Sequence, residues 1–304
     1  MVQKKGTLVV IAGPTGSGKT ALAIAVARRF GAPIVSADSR QIFRGMAIGT
    51  AQPTADELAQ AEHHLIATHD ISEHYTCGRY EHDALDLLAQ LFARHEVVVA
   101  VGGSGLYIDA LCYGMDSLPD GDPELRKVLT HRLADEGAES LLAELRELDP
   151  VYYEQVDRSN PQRVMRALEV CLQTGRPYSE QRHGRRAERD FNIIKIGTLL
   201  PREVLYDRIN RRVDDMIASG LEDEARALYP HRELNSLQTV GYRELFEWFA
   251  GAISREEAIE LIKRNTRRYA KRQMTWFGRQ DDIRWFDPAR PEEVIRFIEQ
   301  ELPK

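Results

Sequence analysis

Cysteine is scarce in this 304-residue chain, and the little there is does not cluster. Cys77, Cys112 and Cys171 form no CxxC pair, which argues against a disulfide framework and a structural zinc site and points to a reducing compartment, the cytoplasm. The apolar stretch near the start, Leu8–Ala12, is too short for the core of a signal peptide or for a membrane span, so no membrane attachment is expected. Excess positive charge is missing as well. The formal net charge is −6, which argues against coating nucleic acid with a uniformly basic surface but leaves room for a local basic track. An acid is also missing where many ATPases place a Mg²⁺-holding Asp. The β-branched run Val97–Val101 ends in Gly102-Gly103-Ser104, and this counts against motors and switches. What remains is 43% hydrophobic and 29% charged, enough for a full core in one large domain or two modest ones.

Thr7–Ala12 is a compact apolar run that reads as a buried strand after the short polar start Met1–Gly6. A Gly-rich turn and an Ala-rich helical stretch, Lys19–Phe30, follow, and this strand–loop–helix opening predicts an α/β domain. Further strands are expected at Pro33–Ser36 and Val97–Val101, the latter apolar throughout as a strand buried on both faces is, and a helix over Gly78–Arg94. The character changes after Gly114. A Pro/Gly/Asp linker, Asp116–Asp122, leads into amphipathic helices punctuated by Pro150 and Pro161, with no strand before about Gly175. Strand character returns at Asn192–Leu200, and the rest reads mostly helical. The helices thus form an insertion at 116–190 between two parts of one core, 1–115 and 191–304.

The segment Gly13-Pro14-Thr15-Gly16-Ser17-Gly18-Lys19-Thr20 fits G-x-x-x-x-G-K-[ST] in full, between a predicted strand and a predicted helix. Glycines let backbone N–H groups wrap phosphate oxygens, the helix N-terminus adds positive potential, Lys19 adds a full charge, and Thr20 can place a hydroxyl on Mg²⁺. A diphosphate or triphosphate is therefore expected here, without a stated fate. Asp38, after the second strand, could take a proton from a nucleophile attacking at that phosphate; it could equally cap the next turn. Lys263–Arg272 gathers Lys263, Arg264, Arg267, Arg268, Lys271 and Arg272 with no acid, beside Tyr269, Trp276 and Phe277. Such a stretch attracts a phosphodiester backbone or forms a solvated helix face, and Trp276 and Phe277 are expected in the core.

Several segments, in order and over nearly the whole chain, resemble the tRNA dimethylallyltransferases, also called tRNA isopentenyltransferases. They are GPTGSGKT at 13–20, DSRQIFRGMAIGTAQP at 38–53, VGGSGLY at 101–107, DPELR at 122–126, NPQRVMRALEV at 160–170, RINRRVDDMIASGLEDEARAL at 208–228, TVGYRE at 239–244 and RRYAKRQMTWF at 267–277. The resemblance implies a P-loop NTPase-like parallel-sheet core with an inserted all-helical domain that grips the anticodon stem-loop of tRNA. It implies dimethylallyl diphosphate as donor on Gly13, Thr15, Gly16, Ser17, Gly18, Lys19 and Thr20, with Mg²⁺ as cofactor, and prenyl transfer to N6 of the adenosine just 3′ of the anticodon. Asp38 would be the general base. Arg208 and Arg212, four apart and on one helix face, would reach the leaving diphosphate. Asp38, Ser39, Arg40, Gln41, Ser104, Arg126, Gln162, Arg163, Val164, Met165 and Arg166 match positions that touch tRNA. Phe43 departs from the family's usual Tyr and so lacks a hydroxyl. With no Cys/His finger at the C-terminus, the sequence is of the bacterial type, and a monomer is expected.

That chemistry suits these residues. Negative charge builds on the departing diphosphate, where N–H groups, Lys19, arginines and Mg²⁺ would stabilise it, while a poorly nucleophilic adenine amine needs positioning and a base. A small-molecule kinase would share the loop and Asp38 but would turn over ATP without RNA. A nucleotide prenyltransferase would modify free adenine nucleotides, and the long insertion speaks for RNA instead. A non-catalytic RNA-binding protein would have no use for the loop and Asp38 together.

Overall fold

The computed structural model describes residues 5–116, 118–184 and 187–303, so most of the polar start lies outside the described residues. The chain divides into two compact units, residues 1–112 with 188–304, and residues 113–187. These boundaries lie a few residues from those read at 115/116 and 190/191.

The first unit is built on a six-stranded sheet in the order β3-β2-β4-β1-β5-β6, with all pairs parallel. Its first half runs β1 (Thr7–Ala12), α1 (Lys19–Phe30), β2 (Ile34–Ser36), α2 (Ala55–Leu58), β3 (His63–His64), α3 (Cys77–Phe92), β4 (Val97–Gly102) and α4 (Gly105–Tyr113). β1 sits in the middle, with Val9 opposite Val99 of β4 and Ile194 of β5. Val9, Ile11, Val97 and Val99 share an apolar core with Leu22 and Val26 of α1, which is why these strands read as unbroken apolar runs. Each large side chain buried there contributes about 1.5–3 kcal/mol. The chain leaves β1, skips the slot that β4 fills, and enters β2. The crevice opened by that skip, beyond the carboxyl ends of the strands, is where a doubly wound sheet holds its ligand.

The second unit holds α5 (Pro123–Glu136), α6 (Ala138–Leu148), α7 (Pro150–Gln155), α8 (Pro161–Thr174) and α9 (Tyr178–Gln181). Three of these helices begin with Pro directly after an Asp or Asn cap. Asp122 accepts from the N–H groups of Glu124 and Leu125, Asp149 from that of Tyr152, and Asn160 from that of Arg163. Leu129, Leu141, Leu145, Val164, Met165 and Leu168 form this unit's own core.

The sheet unit then resumes with β5 (Asn192–Thr198), α10 (Arg202–Ala218), α11 (Leu221–Leu228), α12 (Tyr242–Phe249), α13 (Arg255–Phe277), β6 (Ile283–Phe286) and α14 (Pro291–Glu301). The architecture is the α/β class read from the sequence. Strands β3 and β6 were not expected. Both lie at sheet edges, both are short, and Arg284 in β6 is exposed, so neither carries the apolar run that marks a central strand. Among the described residues no helix is long and apolar enough to cross a membrane.

Candidate active site

The glycine loop lies between β1 and α1, at the middle of the sheet's carboxyl edge. Gly13, Gly16 and Gly18 have φ of +153°, +79° and +91°, and a Cβ on Gly13 would stand 2.1 Å from the Thr198 hydroxyl. Behind the loop, the Ser17 hydroxyl donates to Pro14 O at 2.8 Å and lies 2.6 Å from Thr198 Oγ1. Ser17 is fully buried, so its side chain braces the loop and only its backbone is left to meet an anion. Lys19 Nζ bonds back to Pro14 O at 2.6 Å. Burial, and then the Arg212 guanidinium, lower the Lys19 pKa to about 7, with Asp38 opposing.

Asp38 follows β2 and is brought to the loop by a close crossing of two strand ends. Ala37 N–H bonds Val101 O at 2.7 Å, and a Cβ on Gly102 would lie 2.1 Å from Ala37 O, so only glycine fits there. Asp38 Oδ1 accepts from the N–H groups of Arg40 at 2.9 Å and Gln41 at 3.3 Å, the local turn that its residue type allowed. Among the described residues Oδ2 has no hydrogen-bond partner. A cavity of about 400 Å³ is lined by Thr15, Lys19, Thr20, Asp38 and Arg212 together, and Tyr269 closes part of it. The wall continues into apolar side chains that include Val213, Met216 and Ile262. One chamber thus carries a cationic phosphate end, a carboxylate and an apolar surface.

The arginine pair divides. Arg212 lines the cavity, and its Nη1 donates to Thr15 Oγ1 at 3.3 Å; burial lowers its pKa, with Glu57 and Asp38 opposing. Arg208 is not among the cavity residues, but its guanidinium comes within 3.6 Å of where a Cβ on Gly18 would stand. Ser39, Arg40 and Gln41 line the same chamber as Asp38. Ser104 Oγ accepts the Ser39 N–H at 2.9 Å, and Arg40 Nη1 reaches Asn235 O at 3.0 Å. Gln41 Nε2 donates to Ala51 O at 2.9 Å, so its side chain shapes the loop. Burial pushes the Tyr269 hydroxyl up to about 12, with Asp38 adding to the shift.

In the helical unit the assigned residues separate by exposure. Gln162 and Arg163 are exposed at the start of α8. Val164 and Met165, at 2% and 1% exposure, are packed in the unit's core. They are therefore corrected from RNA-facing residues to supports, because the helical period turns them inward. Arg126 and Arg166 converge on the fully buried Glu169, with Nη2–Oε2 at 2.6 Å and Nη1–Oε2 at 2.8 Å, and Arg166 also donates to Pro119 O. Phe43 lies at 3% exposure among Ile42, Met46 and Leu245, an apolar setting that suits a ring without a hydroxyl.

Along α13, Lys263 pairs with Asp214 at 2.8 Å and Arg267 bonds Asn210 at 2.6 Å, while Arg264, Arg268, Lys271 and Arg272 form an exposed basic face. Phe277 is core as expected. Trp276 is not: it is 37% exposed, with its indole N–H on Asp109 Oδ2 at 2.9 Å. Sequence reasoning passed over Thr198 and Gln273, which reach the loop from later elements. A lone Thr ending a strand and a lone Gln in a basic helix carry no spacing signal. Among the described residues no group of three or more His, Cys, Asp or Glu is placed to hold a metal.

With this geometry in place, similarity to known proteins is informative. The IPP transferase family model matches residues 41–280. The chain is 49% identical over 292 residues to tRNA dimethylallyltransferase 1 of Bacteroides thetaiotaomicron, covering 96% of this chain and 95% of that one. It is 52% identical over 282 residues to tRNA dimethylallyltransferase 2 of Porphyromonas gingivalis, covering 93% and 94%. The structure resembles the tRNA isopentenylpyrophosphate transferase of Bacillus halodurans with a TM-score of 0.72 at 37% identity, over 97% of this chain and 96% of that one. It also resembles a eukaryotic dimethylallyltransferase acting on tRNA, with a TM-score of 0.75 at 26% identity, over 93% and 74%.

Proposed function

The chain belongs to the IPP transferase family and is a prenyltransferase of tRNA, and from that premise we propose how its site works: it moves a dimethylallyl group from dimethylallyl diphosphate to N6 of the adenosine 3′-adjacent to the anticodon, releasing diphosphate. The observation that carries this reading is the shared chamber, in which the Asp38 carboxylate lines the same cavity as Lys19, Thr20 and Arg212.

The diphosphate lies against the loop N–H groups, with Lys19 released from Pro14 O to meet it and Arg212 beside it. Charge that develops on the leaving oxygens is then stabilised by donors already aimed at it. The prenyl tail meets the apolar wall with Val213 and Met216. The target adenine, unstacked at a cost of roughly a few kcal/mol, presents N6 to Asp38, which takes its proton as the carbon–nitrogen bond forms and the carbon–oxygen bond breaks. Thr20, at the cavity wall, would hold Mg²⁺ through its hydroxyl, and the ion would neutralise part of the leaving group's charge. In the sheet unit the exposed basic face of α13 attracts the RNA backbone, and in the helical unit the exposed Arg163 does so on its own account, with Gln162 beside it as a hydrogen-bonding side chain. The enzyme acts as a monomer in the cytoplasm.

Purified protein is incubated with Mg²⁺, labelled dimethylallyl diphosphate and unmodified tRNA bearing adenosines in its anticodon loop. Label enters the RNA, and Asp38→Ala abolishes it. Label on free adenosine monophosphate instead, or phosphoryl transfer from ATP with no prenyl transfer, overturns the reading.

A further inference from the structure

Gln273 is 6% exposed on α13 and reaches two loops from opposite halves of the sheet. Its Oε1 accepts the backbone N–H of Thr15 at 2.9 Å, in the phosphate loop. Its Nε2 donates to the carbonyl of Gly103 at 2.9 Å, just past β4. Gly103 leaves room for that amide: a Cβ there would stand 2.2 Å from Gln273 Nε2. The next residue, Ser104, holds the Ser39 N–H on its hydroxyl at 2.9 Å, and Ser39 adjoins Asp38. On the other side Thr15 holds the Arg212 guanidinium through Oγ1 at 3.3 Å. One amide therefore joins the loop assigned to the leaving group to the loop after β4, whose Ser104 in turn holds the loop that carries the carboxylate. It does so from the helix whose opposite face presents Arg264, Arg268 and Lys271 to solvent.

The match is chemical as well as spatial. A backbone N–H needs an acceptor and a backbone carbonyl needs a donor, and a carboxamide offers both from one planar group at any ordinary pH. A carboxylate could keep the Thr15 bond but would face the Gly103 carbonyl with a second acceptor. A shorter carboxamide would fall short of one partner. Thr15 lies within the glycine loop, so Gln273 fixes the orientation of a peptide unit there.

We infer that Gln273 is a positioning residue for prenyl transfer, tying the phosphate loop to the loop after β4 through its two carboxamide bonds and so, by way of Ser104 and Ser39, setting its separation from the Asp38 loop. This rests on the function proposed above. Reacting groups misplaced by about 1 Å can cost on the order of a hundredfold in rate, so the effect belongs in kcat more than in binding.

The test compares wild type, Gln273→Ala, Gln273→Glu and Gln273→Asn in steady-state transfer to tRNA, with tRNA affinity, inorganic diphosphate affinity by calorimetry, and thermal midpoint measured on each. The expected result is a fall in kcat of about tenfold to a hundredfold for all three, with tRNA affinity within about twofold of wild type. Gln273→Glu is the informative variant, because it keeps the chain length and the acceptor but still loses rate. Combining Gln273→Ala with Ser104→Ala costs less than the sum of the two losses, since both lie on one path to Asp38. A kcat within about twofold of wild type in Gln273→Ala overturns the inference. So does a parallel collapse of kcat, both affinities and midpoint in every variant, which marks a purely structural role. Wild-type protein that leaves tRNA unlabelled overturns the underlying function and takes this inference with it.

Discussion

The phosphate loop and the helical unit are both proposed to bind substrate, but they hold their residues by different means. The loop is a backbone device. Its N–H groups meet the anion, glycines at φ of +79° and +91° give the curvature, and the side chains of Ser17, Thr198 and Gln273 brace it. The helical unit is a side-chain device. Its α8 turns Val164 and Met165 into the core and Gln162 and Arg163 to solvent, and Arg126 and Arg166 are aimed by a shared buried carboxylate. A backbone device depends on a few irreplaceable small residues. A side-chain device spreads its role over many positions, each worth less.

The largest effect that can break this contrast is at the carboxylate. Asp38→Asn should lower kcat by about a hundredfold to ten-thousandfold, the range for a positioned general base, while inorganic diphosphate still binds. A smaller loss would deny Asp38 its role. Arg212→Ala comes next, with a drop of about a hundredfold in kcat, as for removing one donor to a developing oxyanion, read in single-turnover experiments.

On the helical side, Met165→Ala should destabilise by about 2–5 kcal/mol, the usual cost of truncating a core side chain, seen as a lowered unfolding midpoint. If Met165→Ala instead weakened tRNA binding at unchanged stability, Met165 would be an RNA contact and not a core support. pH sharpens the loop side. Lys19 sits at about 7 against an ordinary 10.5, so between those values the folded protein binds fewer protons than the unfolded chain and is stabilised as pH rises. Donor binding runs the other way. The anion needs the ammonium, so diphosphate affinity should be flat below about pH 7 and fall by up to tenfold per unit above it, with proton uptake in calorimetry. A flat profile across that window would mean the lysine enters binding already charged. Smallest of all, Arg163→Ala should weaken tRNA affinity severalfold at low salt, reduce the salt slope by about one, and leave stability unchanged.

Legibility followed the same divide. The cradle could be read because its chemistry needs particular residues at fixed spacing, and the central strands because burial on both faces writes an unbroken apolar run. Asp38 could be read as a candidate from its place after β2, but its entry into the chamber depends on Gly102 letting Ala37 cross, a contact between residues distant in the chain. Gln273 and Thr198 were illegible for a related reason: their partners lie 258 and 181 residues away, and nothing local marks them. In α8 the motif reads as a block, whereas a helix of 3.6 residues per turn sends Gln162 and Arg163 to one face and Val164 and Met165 to another. Trp276 was expected in the core by its type; its indole N–H instead found Asp109 at the surface.

The strand order carries a consequence for how the molecule comes into being. β1 is synthesised before both of its neighbours, Val97–Gly102 and Asn192–Thr198, and before the carboxamide at position 273 that steadies its loop. A nascent chain halted before Asn192 carries the complete glycine motif with one flank of β1 unpaired and the loop unbraced. The glycine motif is therefore complete in sequence well before its strand is paired on both sides and its loop is braced.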